Sequence, residues 1–415
     1  MRSPLRRALA APRFRRLLVA RTLSRWGDTF SAVALVVVVF RLTGSGLKVG
    51  ITAVFEIVPI LVFGLFAGAV VDRLPRVKVM VVSDLGRGIL ALSLVVVHDR
   101  LWAIYAIAFA MAAMSTFFTP AAVSVVPALV EREEDLVGAN AVMTSSAILS
   151  QIVLAPVAGA VVAFAGPGPA FALNAVSFFV SAALLARLRV PAAARPTAVR
   201  RSYRSEVREG LALMRRNPLL RALAQVQALA ALSAGATSAL LVVFAEEHLN
   251  VGPERFGLLL MAIAVGQGVG PLVLQRLVSE VRRPALLFGP LVVRGVVNMV
   301  LVSSTSFGVA FAAIAVYGLA TNTGGVTFNT LLQRAAPDHS RGRTFAFFDV
   351  VWQAGRLGSV ALGGVLADVV GIEGVWVMAG VLLLGAGALG FALVPTAMMR
   401  PEDPPMGLAL GGAHP

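Results

Sequence analysis

The chain has 415 residues, 58% of them hydrophobic and 14% charged, with a mean hydropathy of +0.85 and no cysteine. Soluble domains carry about 25% charged residues, so this sequence lacks the polar surface that water requires, and lipid is the solvent that remains. The net charge of +15 raises nucleic-acid binding, but the arginines stand in short segments between long apolar runs rather than on a face with aromatic partners.

Crossing about 30 Å of hydrocarbon takes roughly 20 apolar residues at about 1.5 Å each. In chain order this predicts membrane helices over 17–41, 48–71, 78–97, 101–127, 138–163 and 169–187. After a polar segment come 219–245, 256–279, 284–303, 307–331, 344–368 and 373–395. Turn signals separate them, among them Thr43-Gly44-Ser45-Gly46, Gly166-Pro167-Gly168-Pro169 and Val251-Gly252-Pro253. Met1 to Arg16 is arginine-rich and Thr29 to Phe40 has the length of a signal sequence. No Ala-x-Ala site follows, and the segment is read as a retained first helix.

Twelve spans place both termini on one side. The alternate segments that include the termini hold 27 of the 36 basic residues, and the opposite segments hold four, Arg41, Lys48, Arg100 and Arg255. The positive-inside rule makes the richer side cytoplasmic, so the expected location is a bacterial inner membrane with both ends inside. A frame shifted by one helix destroys this asymmetry.

The arginine-rich stretch divides the chain into an N-terminal six-helix bundle (1–187), a cytoplasmic linker (188–218), a C-terminal bundle (219–396) and a cytoplasmic tail (397–415). The halves repeat each other. Gly138 and Gly159 recur as Gly342 and Gly363, Asp72-Arg73-Leu74 as Gln275-Arg276-Leu277, and Arg87-Gly88 as Arg294-Gly295. Together these imply two related bundles around a central path.

The segment Gly68-Ala-Val-Val-Asp72-Arg73-Leu-Pro-Arg76-Val-Lys78 resembles the G-x-x-x-D-R-x-x-R-x-R/K loop of the major facilitator superfamily. It lies between the second and third spans, as in that family. Ser24 to Asp28 with Thr43-Gly44-Ser45, the run Asp135-Leu-Val-Gly-Ala-Asn140, and Arg208-Glu-Gly210-Leu are similar to the macrolide-efflux and enterobactin-exporter branch. The resemblance implies an all-α fold of two pseudo-symmetric six-helix bundles, with Gly68, Asp72, Arg73, Arg76 and Lys78 as a conformational latch against the eleventh span near Arg343 and Thr344. One departure stands out. Drug/proton antiporters of the superfamily often carry Gly-Pro-x-x-Gly-Gly in the fifth span, where this chain has Ala155-Pro156-Val157-Ala158-Gly159-Ala160. Antiport gains no support from that element.

An ionised side chain in hydrocarbon costs at least about 2.5–3.5 kcal/mol, so charges within spans point to function. Asp28 is either a protonatable carboxylate facing a central cavity or an ion-pair partner of Arg25 that orients its helix. Glu56 has no basic neighbour within a turn. It is poised to exchange a proton when the cavity opens, or else reaches headgroups. Asp84 and Arg87 are three apart and read as a structural ion pair. Asp349 and Arg356 share one side of the eleventh span, and Arg356 is expected to pair with an acid of the other half or to bind an anionic group of the substrate; Arg25 and Asp349 are, with it, the candidates for charges that face the cavity and the substrate. Arg21 and Arg294 complete the set of charges within spans.

The sequence holds no Walker motif, no nucleotide fingerprint at Gly266-x-Gly268-x-Gly270, and four histidines placed in loops or the tail. No cofactor and no metal are therefore expected. The reading that results is a secondary transporter, not an enzyme, whose partners are a small molecule, protons and the bilayer rather than nucleic acid. Proton-coupled efflux of a drug- or siderophore-like amphipathic molecule leads. A proton-independent facilitator or a lipid-related transporter of the same fold is the alternative, and a polytopic membrane enzyme is the remote one.

Overall fold

The computed structural model describes residues 4–130, 132, 134–190, 217–277, 284–335 and 341–394. The linker motif at Arg208, the tail, His339 and the side chains of Asp72, Gly342 and Arg343 lie outside the described residues. In lipid every backbone polar group must be satisfied within the chain, and helices do this locally. Helices account for all the regular structure among the described residues.

A short helix, Pro4–Ala10, precedes α1 (Pro12–Thr43), α2 (Gly46–Arg73), α3 (Arg76–Val97), α4 (Leu101–Val125), α5 (Asp135–Ala165) and α6 (Pro167–Ala186). Then come α7 (Pro218–Ala239), α8 (Pro253–Leu277), α9 (Pro284–Val302) and α10 (Phe307–Ala335). The last helical run, Arg341–Leu393, is broken at Gly371 (φ 77°, ψ 164°) into α11 (341–370) and α12 (372–393). Eleven stretches are long and apolar enough to cross a membrane, and the last of them is 47 residues long. That length holds two spans, so the twelve expected crossings are present.

Local chemistry sets the helix ends. Pro12, Pro167, Pro218, Pro253 and Pro284 each stand first in a helix, where a missing N–H costs nothing. Asn217 Oδ1 accepts from the backbone N–H of Leu219 and Leu220 at 3.0 and 3.2 Å, and α1 stops at Gly44 in the left-handed region (φ 59°). Gly166 (φ 81°, ψ 179°) is the single residue between α5 and α6, as Gly371 is between α11 and α12. Both occupy a backbone region that is essentially glycine-only, at equivalent places in the two halves.

The packing repeats as well. In the first half α1 packs on α5 and α6, α2 on α4, and α3 on α4 and α6. In the second, α8 packs on α10 and α9 on α10. There α7 packs on α11, where Ser359 Oγ accepts from Ala236 N at 2.8 Å, and on α12, where Ser233 Oγ donates to Ala379 O at 2.8 Å. Gly295 and Gly380 bring α9 and α12 together. These small residues allow the close approach that dispersion needs when lipid supplies no hydrophobic drive. Large apolar side chains such as Val96, Phe164 and Val369 stay exposed on the perimeter, as lipid-facing residues should.

The halves meet closely at one end of the helices. Where α5 meets α8, a Cβ on Gly159 would strike the carbonyl of Pro253, and one on Gly257 would strike that of Ala155. Where α2 meets α11, a Cβ on Gly50 would sit 3.2 Å from Val360 O, and one on Gly364 would sit 2.9 Å from Leu47 Cα. There Asp368 accepts from Ser45 Oγ at 3.0 Å and from Gly46 N at 3.1 Å, so a carboxylate of one half caps a helix of the other.

Candidate functional site

Arg21, Arg25 and Asp28 fall at i, i+4 and i+7 on α1, which puts them on one face. All three line a cavity of about 450 Å³ together with Ser150 and Gln151 of α5 and Leu260 of α8. Two bonds hold that face against α5: Thr22 Oγ1 with Ser146 Oγ at 2.7 Å, and Trp26 Nε1 donating to Ser150 Oγ at 2.9 Å. Glu56 lines a second cavity, of about 660 Å³, with Gly64 and Gly68 of its own helix and residues of α4. Asp28, Ala32 and Arg87 border both spaces.

Asp84 and Arg87 are in ion-pair contact, and both are buried. Ser181 Oγ of α6 donates to Asp84 Oδ2 at 2.6 Å. The Arg87 guanidinium lies 4.7 and 4.3 Å from the ring centres of Phe118 and Phe178. The pair thus fastens α3 to α6 and α4, while Arg87 still borders the cavities. Removing either charge strands the other in a site built for both.

In the second half a cavity of about 390 Å³ is lined by Asp349, Trp352, Gln227 and Arg294. Arg294 Nη2 donates to Tyr317 Oη at 2.8 Å and stacks on that ring. Arg356 does not join Asp349 there. Its Nη1 donates to Gln353 Oε1 at 3.4 Å. The expected loop is only residues 74 and 75: Arg73 ends α2 and Lys78 lies in the first turn of α3, both exposed, whereas Arg76, the first residue of α3, donates from Nη1 to Ser124 O at the end of α4 at 3.0 Å. Thr344 at the start of α11 is fully buried.

Three further polar contacts escaped the sequence reading. Besides the Asp368 cap, His248 sits in a π-helical turn, Phe244–His248, with Nδ1 2.8 Å from Glu373 Oε1 and Nε2 3.1 Å from Leu301 O. Tyr105 Oη donates to Lys48 O at 3.1 Å. Glu246 in the same turn has a buried oxygen without a hydrogen-bond partner. Burial pushes its carboxyl above the usual carboxylate range, Arg41 pulls it back, and Glu247 and Glu254 push it further up. No group of three or more His, Cys, Asp or Glu that could hold a metal ion occurs among the described residues.

A family model described as "Transmembrane secretion effector" matches residues 3–403. The chain is 27% identical over 378 residues to the multidrug efflux pump Tap of Mycolicibacterium fortuitum, covering 88% of this chain and 91% of that one. It is 23% identical over 364 residues to macrolide efflux protein A of Streptococcus pyogenes, covering 85% and 90%. Among solved structures, a bacterial homologue of the lysosomal transporter Spinster, inward-facing and unoccupied, superposes with a TM-score of 0.73 at 14% identity, covering 94% and 98%. The POT family transporter PepTSo superposes with a TM-score of 0.76 at 11% identity, covering 92% and 97%.

Proposed function

The chain belongs to the transmembrane secretion effector family of the major facilitator superfamily, and from that premise we propose that it is a proton-coupled exporter of a small amphipathic molecule. Residues 1–187 and 219–396 rock against each other, joined by 188–218 and followed by the tail 397–415. Both termini are cytoplasmic, in a bacterial inner membrane. The named efflux relatives support export.

One observation carries the mechanism: two carboxylates, Asp28 and Glu56, face cavities that begin beyond the tight α2–α11 and α5–α8 contacts. Asp28 lies roughly 24 Å along α1 from Gly44, at about 1.5 Å per residue. With the outer end closed, substrate and proton enter from the cytoplasm. Opening it and closing the inner end exposes the same groups to the other side. Glu56 lies on α2, which packs on α11 of the other half, so a change of charge there biases how the two halves are arranged. Gly68, Asp72, Arg73, Arg76 and Lys78 act as the inner latch.

The test is accumulation of a transported dye against its gradient, beside counterflow exchange, in the same proteoliposomes. Asp28→Asn or Glu56→Gln is expected to abolish accumulation driven by a pH gradient while exchange survives. If both single variants and the double variant still accumulate dye, neither carboxylate couples. The altered element at 155–160 favours a second reading, a proton-independent facilitator, which gains if the unaltered protein never concentrates substrate.

A further inference from the structure

Arg21 and Arg25 are the charges of the first cavity that the coupling scheme leaves unused. They stand one turn apart on α1 and both line the cavity. Arg25 is exposed to that space and Arg21 is half-buried. The guanidinium of neither takes part in any ion pair or hydrogen bond found among the described residues, in contrast to Arg87, which has Asp84. Counting Arg21, Arg25 and Arg87 against Asp28 and Asp84, the region keeps a net charge of +1 even with both acids ionised. Two like charges at this spacing repel, and in a cavity walled by protein the repulsion is screened less than in bulk water.

We propose that Arg21 and Arg25 form the recognition site for an acidic group on the substrate, so that the exported molecule is an amphipathic organic anion. This rests on the transport reading and adds a substrate class to it. The two forks present parallel N–H donors to a carboxylate, sulfonate or phosphate, a match that arginine makes better than lysine. Ser24 and Gln151, which share the lining, add neutral donors at its edge. The apolar body lies along Ala32, Val33 and Leu260, the last supplied by the other half, so that a bound molecule touches both halves. The inside-negative membrane potential adds to the outward drive on an anion.

The test uses two dyes on one xanthene frame, carboxyfluorescein as the anion and rhodamine 6G as the cation. Fluorescence anisotropy measures their binding to the purified full-length chain in phosphatidylcholine nanodiscs. Carboxyfluorescein is expected to bind more tightly than rhodamine 6G. Arg21→Gln and Arg25→Gln should each weaken it about tenfold or more, the usual size of a lost charge-assisted bond, and Arg25→Lys should keep much of the affinity. The proposal is overturned if rhodamine 6G binds at least as well, if carboxyfluorescein fails to bind the unaltered protein, or if the folded double variant binds it unchanged. Displacement of the dye by phosphatidylglycerol in the nanodisc would move the site's occupant to a lipid phosphate and overturn the soluble-acid assignment. Binding is read without transport. Anion binding with no vesicle transport would therefore sink the exporter reading and leave the site standing.

Discussion

The contact between α5 and α8 makes a quantitative prediction about alternation. Gly257 of α8 faces backbone: a Cβ there would sit 3.1 Å from Pro156 Cα and closer still to the Ala155 carbonyl. Neither neighbour can rotate away, so Gly257→Ala must push the helices apart whenever the outer end is closed. Overpacking of this kind costs about 1–3 kcal/mol. The strain exists only in the outward-closed arrangement. At about 1.36 kcal/mol per tenfold, the ratio of open to closed outer ends therefore rises about 5- to 150-fold. The chain has no cysteine, so a single Cys at Ala32, which borders both cavities, reports on access without background. The assay is the rate of its labelling by a membrane-impermeant maleimide from the outer face. Gly289→Ala is the control, since a Cβ there meets nothing within 4 Å. Labelling that is unchanged or slower in Gly257→Ala, with the control at the parental rate, would refute the outer-gate assignment of α5 and α8.

Three other outcomes follow from described contacts. Asp84→Asn leaves Arg87 without its charge partner and should cost about 3–5 kcal/mol, read as a lowered melting temperature, whereas the paired replacement Asp84→Leu with Arg87→Met should recover most of it. Glu246 has its carboxyl raised by burial, so the folded state holds its proton more tightly than the unfolded one. Its contribution is present at low pH and is lost as pH rises through the raised value. Glu246→Gln should therefore raise thermal stability at pH 8, with a gain that shrinks on acidification. Asp72→Asn should slow transport several-fold with membrane abundance near normal, and loss of the folded protein instead would make that loop structural.

The spans were legible because an apolar run of membrane length has few other uses, and Asp84 with Arg87 was legible because three residues along a helix is one turn. The joint at Gly166 showed itself as a Gly-Pro-Gly-Pro turn, whereas Gly371 showed only as a gap between two spans. What stayed hidden was contact between helices. Ser45 and Asp368 are 323 residues apart, and His248 and Glu373 are 125 apart. Such pairings depend on how each helix is rotated about its own axis. Helices apolar on nearly every side, such as α4 and α5, carry little record of that rotation in their sequence. Asp349 and Arg356 share a side of α11 but stand about 10 Å apart along it, and only Asp349 lines the third cavity.

The one-residue joints have a mechanical meaning. Helices linked through a lone glycine have no spare chain with which to slide past each other, so α5 with α6, and α11 with α12, tilt as coupled levers. Asp368, which reaches across to α2, stands three residues before Gly371, so releasing that grip drags α12 along with α11. Between α6 and α7, by contrast, run 31 residues, 187–217. The stretch of sequence between the halves is thus much longer than these single-residue joints within them. At those two joints a tilt of one helix carries its neighbour with it.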